Sequence, residues 1–333
     1  MRILVFGAGA VGQGVGGFLA AAGHPTTLLL RPRYREALAR EGLRVSGIFG
    51  QRVLQPGQLT LASDPAELAP GGYDVILLCV KSYDTGPSLP ALGRVAGADA
   101  AVVAMQNGYG NVELLASALD KRRVLCARVI TGFSIPCPGQ VQITVHADDI
   151  LIGSFYSRTH PAAEALAAAL TESGLPARAV EDVEAALWTK ILYNCALNPL
   201  GAILGVHYGA LGDSADARAI MDAIIEEGFG VIHAWQFPCQ WKSPAEFREV
   251  FYKSQIPSTY DHRPSMLQDL SAGKRTEIDA LNGAIVRLAA AKGLAAPVNE
   301  TIVRVMRFLE AARRSRCLHR GAGRLAGKTA EGL

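Results

Sequence analysis

The sequence lacks the marks of several large protein classes. Its 333 residues include six cysteines, Cys79, Cys126, Cys137, Cys195, Cys239 and Cys317. No two have CxxC spacing, and none stands beside a histidine at metal-ligand spacing. This excludes a zinc ribbon or a redox dithiol, so no metal is expected. In a chain of this length it also argues against a disulfide framework and for a reducing, cytoplasmic setting. Cys79 and Cys195 lie in apolar runs and read as buried thiols. Charge of one sign is also scarce. A formal net charge of +3 is too weak for a nucleic-acid or membrane-surface partner, which leaves a small molecule. No stretch reaches the ~18 unbroken apolar residues of a transmembrane helix. The opening MRILVFGAGA is too short for one, is interrupted by glycines, and does not read as a targeting segment.

What is present alternates. Residues 2–6 form a short apolar run rich in strand formers, a glycine cluster follows, residues 10–22 read as a helix ended by Gly23, and 25–30 as a second strand. This is a βαβ unit. The run DVILLCV within 73–80 has the unbroken apolar character of a parallel strand buried on both faces. Residues 100–105 repeat it, and 124–130, 141–145 and 150–153 add strand-like pieces. From about residue 182 strand patterns stop. Helical stretches take over at 182–204, 215–236, 244–254, 264–270, 277–292 and 297–312, and a basic, glycine-rich tail begins at Arg313. The expectation is an α/β fold: an N-terminal Rossmann-type dinucleotide-binding domain over 1–181, then an all-helical C-terminal domain over 182–333.

The first strand runs into Gly7-Ala8-Gly9-Ala10-Val11-Gly12, a GxGxxG motif. The first glycine permits the tight turn, the second lets the backbone approach a pyrophosphate, and the third lets helix pack on strand. The helix N-terminus adds unpaired N–H groups and a positive dipole. Alone the motif is weak; between a strand and a helix at the start of a βαβ unit it marks a dinucleotide site. Where an acid would bind the ribose 2′-hydroxyl of NAD, the chain reads Leu30-Arg31-Pro32-Arg33, with no acid before Glu36. Arg31 there suits a 2′-phosphate, which favours NADPH; a solvated loop charge is the alternative. Lys81 follows the DVILLCV strand and Asn107 the next, in MQNG. Both positions line the ligand crevice of an open α/β sheet, although Asn107-Gly108 also fits an ordinary turn.

In the helical half, WTKILYNCALNPLGAIL places Lys190, Asn194 and Asn198 at i, i+4 and i+8, on one helix stripe. Such a stripe between apolar neighbours suits a wet cleft; a snorkelling lysine with two surface amides is the competing account. Pro199 should kink or end this helix. Ser265-Met266-Leu267-Gln268 and Thr276-Glu277-Ile278-Asp279 both match capping boxes, so local physics reads Ser265 and Glu277 as structural.

These segments together resemble the ketopantoate reductase family (2-dehydropantoate 2-reductases). The resemblance rests on GAGAVG, Arg31, Lys81, MQNG, LWTKILYNCALNPL, PSMLQDL and KRTEIDALNG, in the family's order over residues 1–310. It implies that Lys190 is the catalytic lysine that binds the keto oxygen and acts as general acid. It implies that Glu277 is an essential acid at the substrate's hydroxyl end. Asn194, Asn198 and Ser265 become substrate ligands, with Ser265 near the carboxylate, and Asn107 stands where nicotinamide and substrate join. Gly7, Gly9, Ala10, Val11, Gly12, Arg31, Lys81 and Asn107 become the cofactor set. The implied active site lies in a cleft between the domains. His262 departs from the pattern, since a small polar residue is usual there; it either faces solvent or reshapes the pocket.

The expected activity is NADPH-dependent reduction of ketopantoate to pantoate, in pantothenate biosynthesis. One alternative keeps the fold and changes the 2-keto acid. Another is an NADPH-binding sensor without catalysis, against which the retained Lys190 and Glu277 argue. The long helices are compatible with a homodimer.

Overall fold

The computed structural model describes residues 1–326, with side chains described to 313. The chain divides into two compact units, Met1–Trp188 and Thr189–Leu333.

The first unit is built on one mixed sheet flanked by helices. In chain order its elements are β1 (Ile3–Phe6), α1 (Ala10–Ala21), β2 (Thr26–Leu29), α2 (Pro32–Glu41), β3 (Leu43–Gly47), β4 (Arg52–Leu54), β5 (Thr60–Ala62), β6 (Val75–Leu78), α3 (Thr85–Val95), β7 (Ala101–Ala104), α4 (Asn111–Ala118), β8 (Val124–Ser134), β9 (Gln140–Gly153), α5 (Pro161–Ser173) and β10 (Ala177–Ala179). The sheet order is β4-β3-β9-β8-β7-β6-β1-β2-β5, with β10 paired to β9. From β5 to β8 every pairing is parallel. The chain lays β2 and β5 on one side of β1, then returns to lay β6 on the other. That reversal creates a topological switch point at the carboxyl ends of β1 and β6.

β1, β6 and β7 are buried at every residue, as their unbroken apolar runs require. Each fully buried valine, leucine or isoleucine there contributes roughly 1.5–3 kcal/mol. The sequence suggested three separate pieces after residue 124. The structure joins them into two long antiparallel strands, β8 and β9, whose ladder is interrupted by register shifts. Thr131 pairs with His146 and Ile130 with Asp148, so the ladder runs on through 131–134 and 146–149, between the apolar pieces.

The second unit is built of helices, with no strand among its described residues. The helix α6 (Val183–Leu204) carries the division between the units. It is followed by α7 (Tyr208–Asp213), α8 (Ala215–Trp235), α9 (Pro244–Val250), a π-helical turn (Phe251–Gln255), α10 (Ile256–Ser258), α11 (Ser265–Ser271), a 3-10 turn (Ile278–Ala280), α12 (Asn282–Ala291) and α13 (Pro297–Ala326). No helix among the described residues is long and apolar enough to cross a membrane. The tail expected from Arg313 instead continues α13 as backbone to Ala326; its side chains beyond 313, and residues 327–333 altogether, lie outside the described residues.

Pro199 does not end α6. Proline has no N–H, so the carbonyl of Cys195, four residues back, loses its intrahelical donor. The fully buried Asn282 supplies one: its Nδ2 donates to the Cys195 carbonyl at 3.1 Å and to Asn299 Oδ1 at 2.9 Å. Asn299 in turn donates to Glu227 at 2.7 Å. A side-chain network from α12, α13 and α8 repairs the break, and the helix runs through it.

Candidate functional site

In the first unit the loop after β1 has the form of a phosphate cradle. Gly7 turns at φ +89°, and a Cβ on it would come within 2.8 Å of the Val80 backbone nitrogen. A Cβ on Gly12 would meet Val5 at 2.7 Å, so α1 lies directly on β1. Around Gly9, by contrast, nothing lies within 4 Å of where a Cβ would stand. Two of the three glycines are therefore required by the protein's own packing, and the middle one faces open space, as close approach by a ligand needs. Gly9 is the N-cap of α1 with no side-chain cap and no acid in the first turn, which leaves the first N–H groups and the positive dipole available to an anion. The fully buried Gln13 braces the loop, its Nε2 donating to the Ala8 carbonyl at 2.9 Å. Sequence reading missed Gln13; a glutamine inside the first turns of a glycine-rich helix is the signal it carried.

Arg31 follows β2, is exposed, and is the N-cap of α2. Among the described residues no carboxylate pairs with it. Its neighbours are engaged: Arg35 pairs with Glu67 at 2.8 Å, and Arg33 lies 4.7 Å from the Tyr34 ring centroid. Lys81 follows β6 as the N-cap of a short 3-10 turn, and Asn107 follows β7; both are half-buried. The three loops that carry Gly9, Lys81 and Asn107 thus leave the carboxyl ends of neighbouring strands. Glycine cradle and open space fit the pyrophosphate of a dinucleotide.

In the second unit Lys190, Asn194 and Asn198 stand on one stripe of α6 at 8%, 7% and 3% exposure. These values dispose of the surface-amide account. Among the described residues the Asn194 side chain has no hydrogen-bond partner, and a buried amide without one is rare unless a ligand or water supplies it. Asn198 is engaged at both ends of its amide. Its Nδ2 donates to Ser265 Oγ at 2.9 Å, and its Oδ1 accepts from the Met266 N–H at 3.0 Å.

That second bond corrects the capping reading of Ser265. The N-cap of α11 is Pro264 and Ser265 is the first helical residue. The Gln268 N–H that a serine cap would satisfy donates to the Pro264 carbonyl at 3.2 Å, and Asn198, from a helix distant in sequence, takes the Met266 N–H of the same turn. Gln268 reaches the Arg263 carbonyl instead of closing a box. The second box does not form either, because the N-cap of the 3-10 turn is Glu277 and the Thr276 N–H goes to Glu310. Thr276 Oγ1 accepts from the Ile278 N–H at 3.3 Å, but the turn it starts is a short 3-10 segment, and Leu281 at φ −105°, ψ −105° separates it from α12. Thr276 is held mainly by the buried Glu310 of α13, which accepts from its N–H at 2.8 Å and its hydroxyl at 2.6 Å. Asp279 is paired with Arg275 at 2.9 Å and Arg307 at 2.6 Å. Between these anchors Glu277 is buried at 6% exposure. No local pattern announced Glu310, because its partner lies 34 residues away.

His262 does not face solvent. It is half-buried, its ring centroid is 5.1 Å from that of Tyr208, its carbonyl accepts from the Tyr208 N–H at 3.1 Å, and burial pushes its pKa down.

The family described as Ketopantoate reductase PanE/ApbA matches residues 3–156, and its C-terminal counterpart matches residues 182–310. The 2-dehydropantoate 2-reductase of Aquifex aeolicus is 39% identical, over 93% of this chain and 97% of its own. The chain belongs to the ketopantoate reductase family of oxidoreductases. The family's relative from Archaeoglobus fulgidus, also named 2-dehydropantoate 2-reductase, is 33% identical over 93% of this chain and 98% of its own. The crystal structure of a PanE/ApbA family ketopantoate reductase from Ralstonia eutropha superposes with a TM-score of 0.82 at 32% identity, covering 94% of this chain and all of that one. The Rossmann-like first unit and helical second unit are those of the ketopantoate reductase fold.

Proposed function

We propose that this chain reduces 2-dehydropantoate (ketopantoate) to pantoate with NADPH, in pantothenate biosynthesis. The observation that carries the reading is the α6 stripe: the buried Lys190, and the buried Asn194 amide, which has no hydrogen-bond partner among the described residues, in a chain whose other unit has a phosphate cradle. The cofactor is held by the backbone of Gly7, Gly9, Ala10, Val11 and Gly12, with Arg31 on its 2′-phosphate and Lys81 and Asn107 beyond. When bound, it supplies a hydride to the 2-keto carbon. Lys190 Nζ donates a hydrogen bond to the keto oxygen, stabilises the negative charge that grows there, and delivers its proton to that oxygen. A buried ammonium does this better than a solvated one, because the interaction is screened less. Asn194, Asn198 and Ser265 bind the substrate, Ser265 near its carboxylate, and Glu277 accepts from the substrate's hydroxyl.

A second reading keeps this chemistry and changes the acid. It is favoured by His262, which stands half-buried against Tyr208 three residues before Ser265. A panel of 2-keto acids, followed by loss of reduced-nicotinamide absorbance with NADPH and with NADH, decides between the two. The proposal expects the highest kcat/KM with ketopantoate and NADPH. A higher value with another 2-keto acid would move the substrate assignment to that acid.

A further inference from the structure

We infer that Thr85 is a positioning residue for the dinucleotide, tying the loop that carries Asn107 to the segment that carries Lys81. The inference rests on the cofactor reading above, in which both residues meet the bound nucleotide.

Thr85 is the first residue of α3, four positions after Lys81, and is fully buried. Its single hydroxyl proton goes to Asn111 Oδ1 at 2.8 Å, and its oxygen accepts from Gln106 Nε2 at 3.0 Å. Asn111, the first residue of α4, donates through Nδ2 to the Asn107 carbonyl at 3.2 Å. The bonds therefore run in one direction: from Gln106 to Thr85, from Thr85 to Asn111, and from Asn111 to the backbone of Asn107. Gln106 and Asn111 are buried at 7% and 4% exposure, so water does not compete for these groups. Gln106 Oε1 has no partner among the described residues, which leaves the bond to Thr85 as the one that orients this side chain.

The loop needs such a tie. Gly108 and Gly110 follow Asn107 at φ +86° and φ +102°. Glycines in left-handed conformations lose the most freedom on ordering, so a loop built on two of them does not hold one shape by its backbone alone. Thr85 stands where both loops can be fixed at once: its backbone belongs to the Lys81 segment, and its hydroxyl reaches two residues that bracket Asn107. The network fixes the spacing between the Lys81 and Asn107 loops before the nucleotide arrives, and the ordering cost is then not charged to binding.

The test compares Thr85→Val, which keeps the shape and removes the hydroxyl, with Thr85→Ser, which keeps the hydroxyl and removes a methyl. The readouts are the NADPH dissociation constant by fluorescence titration, KM for NADPH and for the keto acid, and hydrogen exchange of the amides at 106–111. For Thr85→Val we expect NADPH binding weaker by about tenfold, the worth of one or two hydrogen bonds, with KM for the keto acid moved less and amide exchange at 106–111 accelerated. Thr85→Ser should restore affinity to within about twofold of the parent protein, a few tenths of a kcal/mol. Unchanged affinity in Thr85→Val, or equal loss in both variants, would overturn the inference, the second outcome because it traces the effect to packing. If Thr85→Val does not fold, Asn111→Ala severs the link to Asn107 and is held to the same expectation. A parent protein that binds no NADPH removes the cofactor reading and this inference with it; a failure confined to the variants removes only this inference.

Discussion

In the proposed function Arg31 sets the choice of nucleotide through one guanidinium. An acid at the end of β2 would accept from a ribose hydroxyl and repel a phosphate; an exposed arginine at the N-cap of α2 does the reverse. Arg31→Ala should weaken NADPH by about tenfold or more, as expected for losing a charge-assisted bond, and leave NADH nearly unchanged. Steady-state KM values for the two nucleotides check this, and equal losses for both would remove the 2′-phosphate role. A second residue-scale effect concerns pH. Burial, helped by the charge of Glu113, pushes the Glu184 carboxyl from its ordinary 4.5 up to about 7. Glu113 is itself raised by burial and hydrogen-bonded to Tyr109, and Tyr156 with Lys121 over its ring completes the surroundings. A raised carboxyl favours the fold below its unfolded pKa, and that contribution is lost as pH rises through the folded value. Between pH 5 and pH 8 the parent protein should therefore lose thermal stability relative to Glu184→Gln, by about 2 °C or more for each kcal/mol involved. Parallel melting curves across that range would contradict it.

At the scale of elements, α6 holds its length because another helix supplies what Pro199 removes. Asn282→Ala should destabilise the chain by about 1–3 kcal/mol, the cost of a buried acceptor left without a donor. Adding Pro199→Ala, which restores the backbone N–H, should recover part of that loss in urea unfolding. Additive losses would mean that the Asn282 bond to the Cys195 carbonyl is not the compensating one. This helix also marks the limit of what sequence reveals. Its span, and the stripe of Lys190, Asn194 and Asn198, were legible from periodicity alone. Its passage through Pro199 was not, because the repair comes from Asn282 and Asn299. Ser265 has the same lesson: a capping pattern reads only a few neighbouring residues, while the cap itself is Asn198. The glycine loop was legible because strand, turn and helix are contiguous there. The Gln106–Thr85–Asn111 network and the Glu310 anchor were not, since side-chain bonds across separate elements leave no spacing in the chain. The joining of the pieces into β8 and β9 was missed for a related reason, as Thr131 and His146 through Asp149 interrupt the apolar pattern within the ladder.

On the scale of the whole molecule, the change from alternating strands and helices to helices alone was visible, with a boundary expected near residue 181. The compact units meet in sequence at Trp188 and Thr189, within a helix, where no linker composition could mark the place. The first unit offers a phosphate cradle and the second a buried lysine, and the proposed reaction requires both. The most direct test is the oxidation of NADPH with ketopantoate by the parent protein and by Lys190→Ala, with NADPH affinity measured alongside. The account predicts turnover reduced by roughly 10²–10⁴-fold, the range for loss of a general acid, with NADPH affinity unchanged. Turnover that survives Lys190→Ala would contradict it.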